Sequence, residues 1–152
     1  MPSSPPSDGA LKLIDAVWTM TLATTGENGP WSAPVYYYYR DRRFYFFSSP
    51  SSRHIQDGLG RPGAASIFRV HERVDHLEGL QMHGTIQLQG AGIRSAAAAT
   101  AYARRFNITA SGPDFLAFFQ SAFHARLYAF VPDRVYHMDN SKGFGCRELV
   151  VL

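Results

Sequence analysis

The stretch that most constrains this chain is Trp31-Ser32-Ala33-Pro34-Val35-Tyr36-Tyr37-Tyr38-Tyr39. Read as a strand, it places Trp31, Ala33, Val35, Tyr37 and Tyr39 on one face and Pro34, Tyr36 and Tyr38 on the other. Both faces are apolar, so one must meet a core and the other a ligand or a second subunit. Pro34 adds a second constraint. It cannot donate to a ladder and belongs at a sheet edge. An edge this aromatic needs a cover, which either a planar ring lying along the backbone or a dimer partner would provide.

A polar turn, Arg40-Asp41-Arg42, leads into a second aromatic strand over 43–49, and this ends in Ser48-Ser49-Pro50-Ser51-Ser52-Arg53-His54. Ser49 suits an N-cap and Pro50 the first helical position, where no N–H is needed, so a short helix is predicted from there to about Asp57, stopping at Gly58. Arg53 and His54 in its first turn sit at the wrong end of the helix dipole, by about 0.3–1 kcal/mol. An oxyanion held among N–H groups, hydroxyls and guanidinium would reverse that sign. The heptapeptide is therefore either an anion site, fit for a flat phosphorylated ligand beside the aromatic strand, or a capped surface helix with Arg53 and His54 in water.

The rest of the chain reads as the scaffold. A Pro/Ser-rich lead-in over 1–8 is expected to be disordered, followed by a helix to about Val17 capped by Ser7 or Asp8. Trp18–Thr25 alternates as a strand, and Gly26-Glu27-Asn28-Gly29 is a hairpin turn. Strands are predicted over 64–70 and 76–90, the second with Gly79 and Gly84 marking a bend or a close backbone approach. Helices follow over 93–106 and 114–123, then strands over 125–131 and 135–139 interrupted by Pro132-Asp133. The pattern is that of a small antiparallel barrel of α+β type in one domain, 9–152.

Several function classes fall away. The net charge of +3, carried by 13 Arg and 2 Lys, is too small and scattered for a nucleic-acid groove, though arginine suits a phosphate. Cys146 stands alone, and the six histidines show no metal-ligand spacing, so no metal site is expected. Ser48 to Ser52 lack the glycines of a nucleophile elbow. No run is long enough to cross a bilayer and the N-terminus lacks the pattern of a signal peptide, which makes a cytoplasmic protein the expectation.

Ala33-Pro34-Val35-Tyr36, then Phe44-Tyr45-Phe46-Phe47-Ser48, then Ser52-Arg53-His54 in that order resemble the FMN-binding split-barrel superfamily, the pyridoxamine 5′-phosphate oxidase-like group. Gly79-Leu80-Gln81 with Gly84, Ala101-Tyr102-Ala103-Arg104-Arg105-Phe106, and Asp139-Asn140 with Gly143-Phe144-Gly145 are similar to its YhbP-like branch. The resemblance implies a mainly β, α+β fold: a six- or seven-stranded antiparallel split barrel with flanking helices. It also implies a homodimer, with FMN in a groove between subunits. By position Ser32, Ala33, Pro34, Val35, Tyr36 and Tyr37 would line the flavin, with Phe47, Ser48 and Gln81 beside it, and Ser52, Arg53 and His54 would hold the phosphate. His54 stands where relatives usually have Lys, which would tie part of the phosphate affinity to pH. The tail from Cys146 to Leu152 lacks the Arg-containing motif of true pyridoxamine phosphate oxidases. The expectation is thus an FMN-dependent oxidoreductase using NAD(P)H or another small reductant. The alternative is a flavin- or haem-binding carrier or sensor without turnover.

Overall fold

The computed structural model describes residues 6–110 and 112–152. Of the expected lead-in, residues 1–5 lie outside those described. Ser7 opens helix α1 (Asp8–Ala16) by accepting the Ala10 N–H, and its own N–H bonds the Val151 carbonyl at 3.0 Å. The helix turns Ala10, Leu13 and Ile14 into the core. Strands β1 (Thr19–Gly26) and β2 (Gly29–Tyr36) then pair through the expected Gly26–Gly29 turn.

Strand β3 (Tyr38–Arg40) and β4 (Arg43–Ser48) are joined by Asp41 and Arg42, both at positive φ, the turn geometry whose twist matches paired strands. Next come α2 (Arg53–Gly58), β5 (Pro62–Arg69) and β6 (Glu78–Leu88). Helices α3 (Ile93–Arg105) and α4 (Phe115–Phe123) follow, the latter capped by the Asp114 carboxylate on the Ala117 N–H at 3.1 Å. The chain ends with β7 (Arg126–Asp139) and β8 (Arg147–Val150).

Seven strands form one antiparallel path, β2-β1-β5-β6-β7-β4-β3, and the short β8 adds to β7. The path corrects the reading of 31–39 as one strand. The chain breaks at Tyr37, and the two pieces, β2 and β3, lie at opposite edges of the sheet. Consecutive residues can occupy opposite edges only because the sheet curls into a half-barrel. Tyr37 is the pivot: fully buried, it donates its N–H to the Trp18 carbonyl at 3.2 Å and its hydroxyl to the Ile14 carbonyl at 2.7 Å.

A second correction concerns the C-terminal strands. Pro132-Asp133 does not interrupt them, and β7 runs unbroken for 14 residues. Its register on β6 shifts between His83↔Arg134 and Gly84↔Pro132, leaving Asp133 as the extra residue of a bulge. Gly84 makes this possible, since a Cβ there would fall on the Val131 carbonyl oxygen and 2.8 Å from Pro132 Cα. The bulge divides the other edge of β7 between β4, paired over Arg126–Phe130, and β8, paired over Val135–Met138.

The interior of the curl is filled by Met20, Leu22, Phe44, Phe46, Ile67, Leu80, Met82, Tyr128 and Phe130, closed by Leu13 and Ile14 of α1 and Ile55 of α2. Outside it, α3 and α4 cover Tyr45, Phe47, Leu127 and Ala129. No helix among the described residues is long and apolar enough to cross a membrane.

Candidate functional site

Helix α2 lies against the β1–β2 hairpin because Gly58 lets it come close: a Cβ there would stand 2.5 Å from Thr24 Cγ2 and 3.1 Å from Ile86 Cδ1. The helix begins at Arg53 with Ser52 as its N-cap, three residues later than the sequence suggests. The serines spend their hydroxyls on one another instead. Ser49 Oγ meets Ser51 Oγ at 2.9 Å, and Ser52 Oγ donates to the Ser49 carbonyl at 2.7 Å, which holds 49–52 as a turn.

That turn assembles a polar cluster. Ser48 Oγ lies 2.7 Å from His54 Nε2 and 3.0 Å from Ser52 Oγ, and Ser52 Oγ lies 3.3 Å from the same His54 nitrogen. With the Ser52 proton committed to the Ser49 carbonyl, one arrangement pairs every proton. Nε2–H of His54 donates to Ser48, and Ser48 donates to Ser52. Burial holds the His54 pKa below the ordinary imidazole value, so the ring is neutral at pH 7 in the chain as it stands. Three groups able to donate thus converge on one point at the start of α2.

Arg53 is not part of this cluster. Its Nε pairs with Asp57 Oδ2 at 3.2 Å, one terminal nitrogen donates to the Asn28 carbonyl at 3.1 Å, and its guanidinium lies 4.3 Å from the centre of the Trp31 ring. It ties α2 to the β1–β2 turn, so the structure splits the Ser52-Arg53-His54 triplet.

The remaining expected site residues divide by strand parity. Ser32, Pro34 and Tyr36 are exposed on the outer face of β2, the edge strand that Pro34 called for. Ala33 and Tyr37 are buried and Val35 packs against the core, which leaves their backbone alone for a ligand. Phe47 is stacked on Phe119 at 3.7 Å, beneath α4 and away from the cluster side of β4. Gln81 is exposed, and register carries it into one cross-strand row with Pro34: Pro34–Thr21–Ser66–Gln81. The neighbouring row is Ser32–Ala23–Ala64–His83. The middle of this outer face is paved with small side chains. Gln81 and Pro34 are three strand spacings apart, about 14 Å.

The profile of the family described as pyridoxamine 5′-phosphate oxidase matches residues 6–111. The chain belongs to that family. No curated protein matches it. Among solved structures, the family fold is shared with the conserved hypothetical protein Rv2991 of Mycobacterium tuberculosis, at a TM-score of 0.70 and 16% identity over 100% of this chain and 96% of that one. An FAD-binding protein of Mesorhizobium loti matches at a TM-score of 0.62 and 17% identity, covering 85% and 91% of the two chains. HutZ, a haem storage protein of Vibrio cholerae, matches at a TM-score of 0.67 and 11% identity, covering 87% and 94%.

Within this family member the sequence signal missed a second concentration of side chains. Trp18, Tyr36, Tyr102, Phe106, Asn107 and Ile108 line a cleft of about 330 Å³ at the far end of β2 from α2. Only Tyr36 among them falls in the expected site. The others come from the residue before β1, from α3 and from the loop after it, and although Tyr102 and Phe106 share one short motif, nothing in it announces their meeting with Trp18 and Tyr36.

Proposed function

We propose that the chain is an FMN-binding flavoprotein of the pyridoxamine 5′-phosphate oxidase-related type, acting as an oxidoreductase in a homodimer. The observation that carries this reading is the Ser48–Ser52–His54 cluster, three donor groups within 3.3 Å of one another at the start of α2. A phosphate fits such a donor set, because the two hydroxyls can rotate from each other toward an oxyanion and an anion draws a proton onto the imidazole. Arg53 adds positive potential from its place beside Trp31. The ring fits the outer face next to Ser32 and Pro34, where small neighbours leave room for a flat ligand and the backbone of Ala33 and Val35 runs along a sheet edge. A ring touching Gln81 as well would lie across the strands, or would meet Gln81 of the partner subunit.

When bound, FMN supplies the electron-accepting and electron-donating chemistry, and this chain supplies position and proton supply at its phosphate end. His54, neutral before the anion arrives, takes up a proton as the phosphate binds. The bare outer face gives a second copy of the chain a surface to close over the ring and exclude water.

Haem is the second reading, favoured by the likeness to a haem storage protein within the same fold. The absorption spectrum of the purified protein separates the two. A flavin spectrum, FMN released on denaturation and bleaching by NADH or NADPH are the expected results. Colourless protein that FMN does not stabilise thermally defeats the flavin reading, and a Soret band replaces it with haem.

A further inference from the structure

A hollow of about 300 Å³ lies where α4, the start of β7 and the chain leaving β6 come together. Leu88, Leu116 and Leu127 line it, with Gln89, Gln120 and Arg126 as its polar side chains, and no residue of the expected flavin site is among them. Backbone bonds fix its walls in advance. The Gln89 N–H donates to the Leu127 carbonyl at 2.9 Å, which ties the chain after β6 to β7. The Ala125 N–H donates to the Phe119 carbonyl at 3.1 Å, which ties the end of α4 to the same strand. Leu116 and Gln120 stand one helical turn apart on one face of α4. Leu88 is 46% exposed, so apolar surface is left uncovered there.

The lining gives an occupant its chemistry. Arg126, the first residue of β7, takes part in no ion pair and no side-chain hydrogen bond among the described residues, and no Asp or Glu lines the hollow. Arginines that line other hollows are tied down: Arg40 pairs with Asp41, and Arg105 donates to two carbonyls and lies 3.8 Å from Asp15. The Gln120 amide is likewise unpaired among the described residues, whereas Gln89 gives its amide N–H to the Gln87 carbonyl at 3.2 Å. One uncompensated cation beside a free amide selects a single carboxylate, which can take two parallel hydrogen bonds from a guanidinium. A phosphate dianion would leave half its charge unmatched. The apolar lining is leucine and alanine with no aromatic ring, so a flat ring has nothing to stack on and an alkyl chain is the better fit. The volume is at the small end for such sites, which keeps that chain short.

We propose that this hollow binds a medium-chain aliphatic monocarboxylate, one per chain, with Arg126 and Gln120 holding the carboxylate and Leu88, Leu116 and Leu127 covering the alkyl chain. The register pairs Arg126 with Ser48, so the occupant sits one strand away from the Ser48–Ser52–His54 cluster and draws on none of its donors.

The probe is octanoate, titrated calorimetrically into the full chain, with a thermal shift as the second readout. The expected result is saturable binding at one octanoate per chain, weakened about tenfold or more by Arg126→Gln and less by Arg126→Lys, which keeps the charge but loses the fork. Arg126 is exposed and unbonded, so its removal leaves the fold intact, and Arg69→Gln, at an exposed arginine of β5 outside the hollow, changes nothing. Affinity rises from butyrate to octanoate by up to about fourfold for each added methylene. Octan-1-ol, of the same length without the charge, binds at least about tenfold more weakly. No binding at millimolar octanoate by either readout overturns the proposal. So does binding that Arg126→Gln leaves intact, an affinity independent of chain length, or octan-1-ol binding as well as octanoate. Displacement of octanoate by FMN overturns it too, because the hollow is then part of the flavin's own site.

Discussion

The two ends of β2 are built in opposite ways. At its start, Trp31 meets Arg53, which adjoins the cluster of Ser48, Ser52 and His54, and these four come from the seven consecutive residues that begin with the last of β4. At its finish, Tyr36 shares a cleft with Trp18, Tyr102 and Phe106, and the four come from three separate parts of the chain. The first is polar and locally encoded, so a turn can be read as a site. The second is apolar and exists only because α3 packs beside the barrel. A site made by a turn can be lost by changing hydroxyls, while a site made by packing is lost only by changing what packs.

The largest test of that difference removes the polar end alone. Hydrogen bonds to a charged group are worth about 1.5–3 kcal/mol each. The double variant Ser48→Ala, Ser52→Ala is therefore expected to weaken FMN binding by roughly 100-fold while riboflavin, which lacks the phosphate, changes little. Equal losses for FMN and riboflavin in a titration of flavin fluorescence would show that the cluster does not hold the phosphate.

A change beneath α2 should act in the same direction through packing. Gly58→Ala puts a methyl group 2.5 Å from Thr24 Cγ2, and overpacking of this kind costs about 1–3 kcal/mol. The melting temperature is expected to fall by roughly 2–4 °C per kcal/mol, with FMN affinity falling alongside it because the cluster shifts with its helix. A fall in stability that leaves FMN affinity intact would show that the packing of α2 does not set the geometry of the cluster.

The contrast also explains what was legible in the sequence. The Gly26–Gly29 hairpin, the α3 and α4 helices and the close approach at Gly84 follow from local rules, and the structure has each of them. The break at Tyr37 does not, because it is imposed by carbonyls of Trp18 and Ile14 that only the folded barrel brings near. Pro132 reads as a strand breaker until β6 offers Gly84 opposite it, and a bulge absorbs the misfit. At α2 the local rule itself misleads: Ser49 has the chemistry of a cap, but Ser51 and Ser52 compete for its hydroxyl and carbonyl, and the helix starts later. Strand parity likewise halves the expected flavin-lining run, since Ala33, Val35 and Tyr37 turn inward while Ser32, Pro34 and Tyr36 stay out.

Acidity should act on one end only. Burial lowers the His54 pKa, so the neutral ring favours the folded state, and that contribution is present above the ordinary imidazole pKa and lost as pH falls through the lowered one. A bound phosphate works the other way by favouring the charged ring. FMN affinity is therefore expected to rise as pH falls from 8 to about 6.5, above the range in which the phosphate itself takes up a second proton, by up to about tenfold, one pKa unit being worth about 1.4 kcal/mol. Riboflavin serves as the control, and His54→Asn should flatten the FMN profile. An FMN dissociation constant that is flat with pH in the unmutated chain would remove His54 from the phosphate site.

The smallest expected effect concerns Arg53, the residue on which sequence and structure differ most in role. Its guanidinium is spent on Asp57, on the Asn28 carbonyl and on the face of Trp31, so it acts as a strut between α2 and the hairpin. Arg53→Lys keeps the charge but loses the planar fork and the stack. The half-exposed cation–π contact is worth about 0.5–1 kcal/mol, and the ion pair adds little where water reaches it. Stability in chemical denaturation should therefore fall by about that amount, with the Trp31 emission shifting to the red as the ring is uncovered. FMN affinity should change less than about threefold, because the donors closest to the anion are Ser48, Ser52 and His54. A loss of tenfold or more would show that Arg53 leaves Trp31 to grip the phosphate, and that the polar end is rebuilt by its ligand rather than formed in advance.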